Sequence, residues 1–388
     1  NAQLGDIMAP WELNIAVEDL EISLENVNLI SFPGLPDDGD YSVENIFGQL
    51  CDNPIIGVIG EGSAFVNWGD CQFIGSLSEI VQNEGYWVIL STCPDTLFID
   101  DAIPVSYDAD GEVVYEIHYG NNLISYPFQT SQYLEDALGD VADSVYALVG
   151  EGIAALNCDY NDCNEDWIGS LGAFEGGKGY WLITSYDFNF KFIGAESGLA
   201  RIAEQPAVRP VPEAHRFAQS SRQAFYFIQT AIIRHEPLDE DDIIIAYNGD
   251  VVVGARYWNG EYTDVPAMGL DDYSNNEGYC EIGDQISFKV WDSSASKLID
   301  MQADVGTTWN DISVSVINLT EILPETFSLD RAYPNPFNPT TTLSFAIPVD
   351  AAVSLSIYNM QGREVSRLIV SNMDAGYHSV VWDANSFA

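Results

Sequence analysis

The feature that most constrains this chain is that it repeats itself. Asn28-Leu29-Ile30-Ser31-Phe32-Pro33 returns as Asn122-Leu123-Ile124-Ser125-Tyr126-Pro127, and Ile74-Gly75-Ser76-Leu77 returns as Ile168-Gly169-Ser170-Leu171. Gly85-Tyr86-Trp87-Val88-Ile89 returns as Gly179-Tyr180-Trp181-Leu182-Ile183. All three blocks share an offset of 94 residues (28 to 122, 74 to 168, 85 to 179). Ile59-Gly60-Glu61-Gly62 also recurs, as Val149-Gly150-Glu151-Gly152. Self-similarity at a fixed period implies two copies of one folding unit.

Each copy reads as a strand, a short helix, then further strands. The helices are predicted over Val43 to Leu50, capped by Asp40 or Ser42, and over Leu134 to Leu138, capped by Ser131. Strands are predicted over Ile55 to Ile59, Tyr86 to Leu90, Val145 to Val149 and Tyr180 to Ile183. The repeated Tyr and Trp allow two readings, core packing or a carbohydrate-binding platform; their place inside apolar strands favours core.

Around the repeats the chain divides further. Residues 1–26 form an N-terminal arm, 27–120 and 121–194 the two repeats, and 195–223 a linker rich in proline and arginine. Its Arg201, Arg209, Arg216 and Arg222 make it a basic strap on an acidic protein, able to clamp a neighbour or to lie in solvent. Residues 224–320 read as a β-sandwich module, with strands at Phe225 to Ile232, Ile243 to Tyr247, Val251 to Tyr257 and Gln285 to Trp291. Asn248-Gly249-Asp250 supplies a hairpin turn. Residues 324–388 read as a small Ig-like sandwich, its strands Thr342 to Ile347, Ala352 to Tyr358 and His378 to Trp382 joined by turns at Asn359 to Gly362 and Asp374 to Gly376. The fold class expected is therefore mainly β with short helices, a multi-domain chain of β-modules.

The last module carries Tyr333-Pro334-Asn335-Pro336-Phe337-Asn338-Pro339 and Thr340-Thr341-Thr342. Tyr358-Asn359, Gly362-Arg363-Glu364-Val365, Ala375-Gly376 and Val381-Trp382-Asp383-Ala384 follow. In this order the residues resemble the C-terminal sorting domain of type IX secretion cargo in Bacteroidetes and related bacteria. That resemblance implies the type IX machinery as partner and the outer cell surface or the extracellular space as destination. Members commonly continue with a further Gly-Val-Tyr-x-Tyr-like strand, whereas this sequence ends at Phe387-Ala388. The two repeats resemble units found beside such domains in other exported proteins, and the module from 224 resembles another of their β-modules. The chain begins at Asn1-Ala2-Gln3 and reads as a form already trimmed.

Charge excludes several functions. With 60 acidic and 13 basic residues the net charge is −47. Such a surface repels nucleic acid and anionic lipid, and no apolar run is long enough to span a membrane as a helix. Folding this much like charge favours saline surroundings, bound divalent cations, or both. Six cysteines in an exported chain suggest disulfides: Cys158 with Cys163, Cys51 with Cys71, and Cys93 with Cys280 by elimination.

No GxSxG, HExxH, P-loop or dinucleotide-binding signature is present, so an enzyme is not expected. Two acidic turns, one with Asp108, Asp110 and Glu112 and one with Asp159, Asn161, Asp162 and Glu165, are candidate calcium sites, although neither completes an EF-hand. The leading expectation is a secreted structural protein that assembles with copies of itself, as a filament or sheath subunit. Its N-terminal stretch from Trp11 to Leu24 would either add a strand to a neighbour's edge or pair within its own module. The alternative is a monomeric carbohydrate-binding or adhesive protein that takes a polysaccharide through tryptophans near the repeated Gly-Tyr-Trp or Trp258.

Overall fold

A computed structural model describes residues 18–50, 55–69, 71–91, 95–104, 113–160, 163, 166–193, 203–234, 236–271 and 276–385. The chain is mainly β, with short helices. Both repeats build the same five-stranded antiparallel sheet. In the first the order is Val27–Ile30, Tyr86–Leu90, Ile55–Gly60, Ser63–Asn67 and Phe73–Gly75; in the second it is Gly120–Ser125, Gly179–Thr184, Val145–Val149, Ala154–Asn157 and Trp167–Gly169. The register repeats as well, with Leu29 opposite Trp87 and Leu123 opposite Trp181.

Alternation along each strand sorts its residues between two faces. Tyr86, Val88 and Leu90 point to an inner core, where they meet Val43, Ile46 and Phe47 of the helix Val43–Phe47. Trp87 and Ile89 point the other way, into a separate apolar cluster. Both faces of this strand are covered, which is why it reads as an unbroken apolar run. Ser42 caps the first helix, its Oγ accepting the Asn45 N–H at 3.3 Å. The second helix, Leu134–Leu138, is not capped by Ser131: Gln132–Tyr133 pairs with Ala173–Phe174, and the N-cap position passes to Tyr133, which makes no capping bond.

Glu18–Leu24 runs antiparallel to Asp95–Pro104 of its own module, and Leu20, Ile22 and Leu24 pack into that module's core. For these residues the within-module alternative is the one adopted; the start of the arm, Trp11 to Val17, lies outside the described residues. The second repeat has a shorter counterpart in Tyr115–Ile117 paired with Phe188–Phe190.

The third module is a single eight-stranded sheet folded over one core. Gln223–Ile233 runs parallel to Val314–Glu321 and antiparallel to Thr263–Met268. The bend brings Thr263–Met268 alongside Val251–Tyr257, where a β-carbon on Gly254 would strike the Pro266 carbonyl. In the last module Thr340–Ile347 pairs with Gly376–Asp383, and Ala351–Tyr358 pairs with Glu364–Met373. Glu364–Met373 does not stand out as a strand in the sequence because its apolar residues do not alternate cleanly. Gly362 closes the intervening turn at φ +76°.

Candidate functional site

The residues that repeat in sequence meet in space. The two repeats dock about a pseudo-two-fold axis, and the Asn-Leu-Ile-Ser, Gly-Glu-Gly and Gly-Tyr-Trp blocks of one touch the other. Ile30 forms an antiparallel bridge to Lys178, and its counterpart Ile124 forms one to Glu84. The Leu29 N–H donates to Glu151 Oε2 at 3.1 Å, and the Leu123 N–H donates to Glu61 Oε2 at 2.6 Å. Ser31 Oγ donates to the Lys178 carbonyl at 2.7 Å, while Ser125 Oγ donates to the Gln82 carbonyl at 2.5 Å. On the axis Gly85 and Gly179 lie face to face: a β-carbon on Gly85 would sit 2.8 Å from Ile124 O, and one on Gly179 would sit 2.7 Å from Ile30 O. Leu29, Trp87 and Leu123, with Trp181 half-buried beside them, fill the apolar centre of the joint.

Trp87 is only 2% exposed, and Tyr86 and Tyr180 are equally buried. Tyr86, Trp87 and Tyr180 are therefore core and joint, with Trp181 half-buried beside them. The role of the repeated glutamates was missed in the sequence. The signal for it was a carboxylate recurring inside a glycine turn, where no strand or helix requires one. Each also meets a basic group: Glu61 accepts from His118 Nε2 at 2.7 Å, and Glu151 lies 3.4 Å from Lys178 Nζ. The Tyr119 carbonyl and Glu61 raise the His118 pKa, whereas burial, with Glu61 adding like charge, raises that of Glu84.

At the far end of the chain the proline-rich motif wraps the start of one sheet. Tyr333 exchanges backbone hydrogen bonds with Thr342 at 3.0 and 2.9 Å, and Thr341 Oγ1 donates to the Pro334 carbonyl at 2.9 Å. Phe337 packs on Trp382, ring centroids 5.3 Å apart, and the Ala384 N–H donates to the Pro339 carbonyl at 3.0 Å. The prolines cannot donate, so the Tyr333 N–H, the motif's carbonyls and the Phe337 ring hold it to the sheet. Residues 331–380 match the family of secretion system C-terminal sorting domains. The chain is a type IX secretion cargo. The cargo is therefore exported to the cell surface or the extracellular space. No curated protein and no solved structure matches it.

The cargo's second joint lies between the second repeat and the third module. Ala147, Val149, Ala154 and Leu156 pack against Phe225, Phe227 and Tyr262. Gln223 grips the Gly150-Glu151-Gly152 turn: its Nε2 donates to the Gly150 carbonyl at 2.7 Å, and its Oε1 accepts the Gly152 N–H at 3.1 Å. Arg256 donates to the Gly152 carbonyl at 2.9 Å and to Asp264 Oδ2 at 3.2 Å, and Ser170 Oγ donates to the same Asp264 oxygen at 2.5 Å. Burial of Asp264 raises its pKa even so, because desolvation outweighs Arg256 and Ser170. Beside this joint opens a cleft of about 750 Å³, whose lining includes Trp167, Tyr257, Trp258, Asn259 and Glu261.

The basic strap clamps the third module. Arg209 pairs with Asp241 at 3.0 Å and stacks 3.6 Å over the Tyr257 ring; Arg222 pairs with Asp311 at 3.1 Å beside the Trp309 ring. At the strap's other end Gln205 bonds Gly172, Ala173 and Ser170 of the second repeat. Arg201 lies outside the described residues.

The two calcium candidates fall largely on chain that is not described. Of the first, Asp108, Asp110 and Glu112 all lie outside the described residues. Of the second, Asn161, Asp162 and Glu165 lie outside them too. Only Asp159 is described, and its N–H donates to Asn157 Oδ1 at 2.9 Å. Among the described residues no group of three or more His, Cys, Asp or Glu side chains is arranged to hold a metal ion. Cys158 and Cys163 form a disulfide. Cys71 is also disulfide-bonded, while Cys51 and Cys93 lie outside the described residues. The pairing of Cys93 with Cys280 is corrected: Cys280 is a free thiol, and burial pushes its pKa up to about 12. It sits in the third module's core.

Proposed function

We propose that this cargo is a non-enzymatic structural subunit of an extracellular assembly, a filament or sheath built from copies of itself. One observation carries the reading. The polar side chains Ser31, Ser125, Glu61 and Glu151, which repeat between the copies, are spent on joining the two repeats. Glu84 and Asp264, whose pKa values are raised, likewise sit at joints, Asp264 also bordering the cleft beside the second one. A chain whose chemistry goes into rigid docking suits load-bearing more than turnover. Negative-stain electron microscopy of native surface material and of the purified chain, with and without calcium, tests this. Regular filaments are the expected result; dispersed particles under both conditions would remove the reading.

A second reading is carbohydrate binding, favoured by the cleft beside the strap, where Trp167, Tyr257 and Trp258 combine with Asn259 and Glu261. Its check is calorimetric titration with soluble polysaccharide, repeated with Asn259→Ala, which should weaken any binding at that cleft.

A further inference from the structure

The two-fold relation between the repeats leaves one half of a symmetric arrangement unfilled. In the second repeat the outward sheet face is covered by the third module: Val149, Ala154 and Leu156 are fully buried there, and Cys158, next in the alternation, is buried too. The equivalent residues of the first repeat are Ile59, Ala64, Val66 and Trp68. Ile59, Ala64 and Val66 are only half-buried, Trp68 is 77% exposed, and Ile74, the counterpart of Ile168, is 53% exposed. Among the described residues no apolar cluster includes Ala64, Val66, Trp68 or Ile74. The strands Ile55–Gly60, Ser63–Asn67 and Phe73–Gly75 carry no charged residue, in a chain of 60 acidic side chains.

We propose that this outward face of the first repeat is where two copies of the chain associate, face to face about a two-fold axis. The inference deepens the structural-subunit reading and rests on it. Three observations select a second copy as the occupant. The face is continuous with an established interface, because Ile56 and Ile59 already border the joint between the repeats. That joint shows the same sheet surface packing on its own homologue with two-fold symmetry, Leu29 and Trp87 against Leu123 and Trp181. An uncharged face is also where two chains of charge −47 can approach with the least like-charge cost. A contiguous apolar surface of this kind marks an interaction site.

Sedimentation velocity of the full chain over a concentration series tests the proposal. The wild type should dimerise reversibly and more tightly as salt is raised, since salt screens mutual repulsion and leaves apolar packing intact. Ile74→Asp should raise the dissociation constant about 100-fold or more, because it places an unpaired charge in the contact. Trp68→Ser should weaken it in the same direction. Both residues are exposed in the monomer, so circular dichroism and melting temperature should match the wild type. Ile282→Asp, an equally exposed site on the third module, should leave the dimer intact.

A wild type that stays monomeric, or a dimer indifferent to Ile74→Asp, would overturn the proposal. So would a monomer that dimerises only after residues 1–17 are deleted, since the chain's own segment would then be the occupant. Electron microscopy of the variant separates the two readings. Filaments that form equally well from Ile74→Asp would sink this contact and leave the structural reading standing. A dimer abolished by Ile74→Asp, in a chain that never forms filaments, would support the contact and remove the filament.

Discussion

The two repeats have one topology and nearly one set of core residues, yet they occupy different situations. The second is gripped on its outward face by the third module, with Ser170 bonded to Asp264 and the Gly-Glu-Gly turn held by Gln223. The first has the same face and the same turn, but Ser76 turns inward to accept the Ala64 N–H at 3.3 Å. One local sequence thus serves as buried core in one copy and as surface in the other. Neighbours, and not strand propensity, decide what an outward residue is worth.

Substitutions at equivalent positions should expose that difference most strongly. Leu156→Ala, under the third module, should cost about 2–5 kcal/mol in thermal or urea unfolding, the loss typical of an emptied core site. Val66→Ala at the matching position should cost well under about 1 kcal/mol in the monomer. Equal losses would mean that the first repeat's face is covered as fully as the second's.

The joint between the repeats should behave in the opposite way, with matched effects from matched changes. Gly85→Ala and Gly179→Ala each push a β-carbon against a backbone carbonyl and should each cost about 1–3 kcal/mol in the same assay. A large effect in one and none in the other would break the two-fold description. Glu61→Ala and Glu151→Ala strand the Leu123 and Leu29 N–H groups and should each cost about 1–2 kcal/mol. Hydrogen exchange at those two amides should speed up together.

The smallest effect is a pH asymmetry, because only Glu61 is faced by a histidine. Burial raises the folded pKa of Glu84 above 4.5, so the folded state holds its proton longer and stability falls as pH rises from about 4.5 through that raised value. His118 is also raised, from 6.5; its contribution is complete below 6.5 and is lost as pH rises through its folded value. Both slopes have one sign, so melting temperature should decline from weakly acidic to neutral pH. Glu84→Gln should flatten the acidic part of the decline and His118→Asn the neutral part. An unchanged profile in both variants would place the titration elsewhere.

Much of this was legible in the residues. The apolar runs located two of the five sheet strands in each repeat, and Asn248-Gly249-Asp250 located one hairpin of the third module. Ser42 was legible as a cap because a short helix needs an acceptor for its first N–H groups. Ser131 misled, since a bridge between Gln132–Tyr133 and Ala173–Phe174, a pairing across some forty residues, claimed the backbone first. The free thiol of Cys280 was hidden for the same kind of reason: counting cysteines to an even number says nothing about which core encloses each.

The sequence by itself determined that two copies of one β-unit exist, that their repeated residues matter together, and that the chain is addressed for export by its C-terminal domain. Each of these is a local pattern, written in spacing, alternation and motif. Tertiary structure alone decided that Glu61 and Glu151 reach across to each other's repeat, that Arg209 and Arg222 of the strap clamp the third module, and that one outward face is covered while its twin is open. A period of two assigns a residue to a face of its sheet, but what lies against that face depends on chain segments far away in sequence.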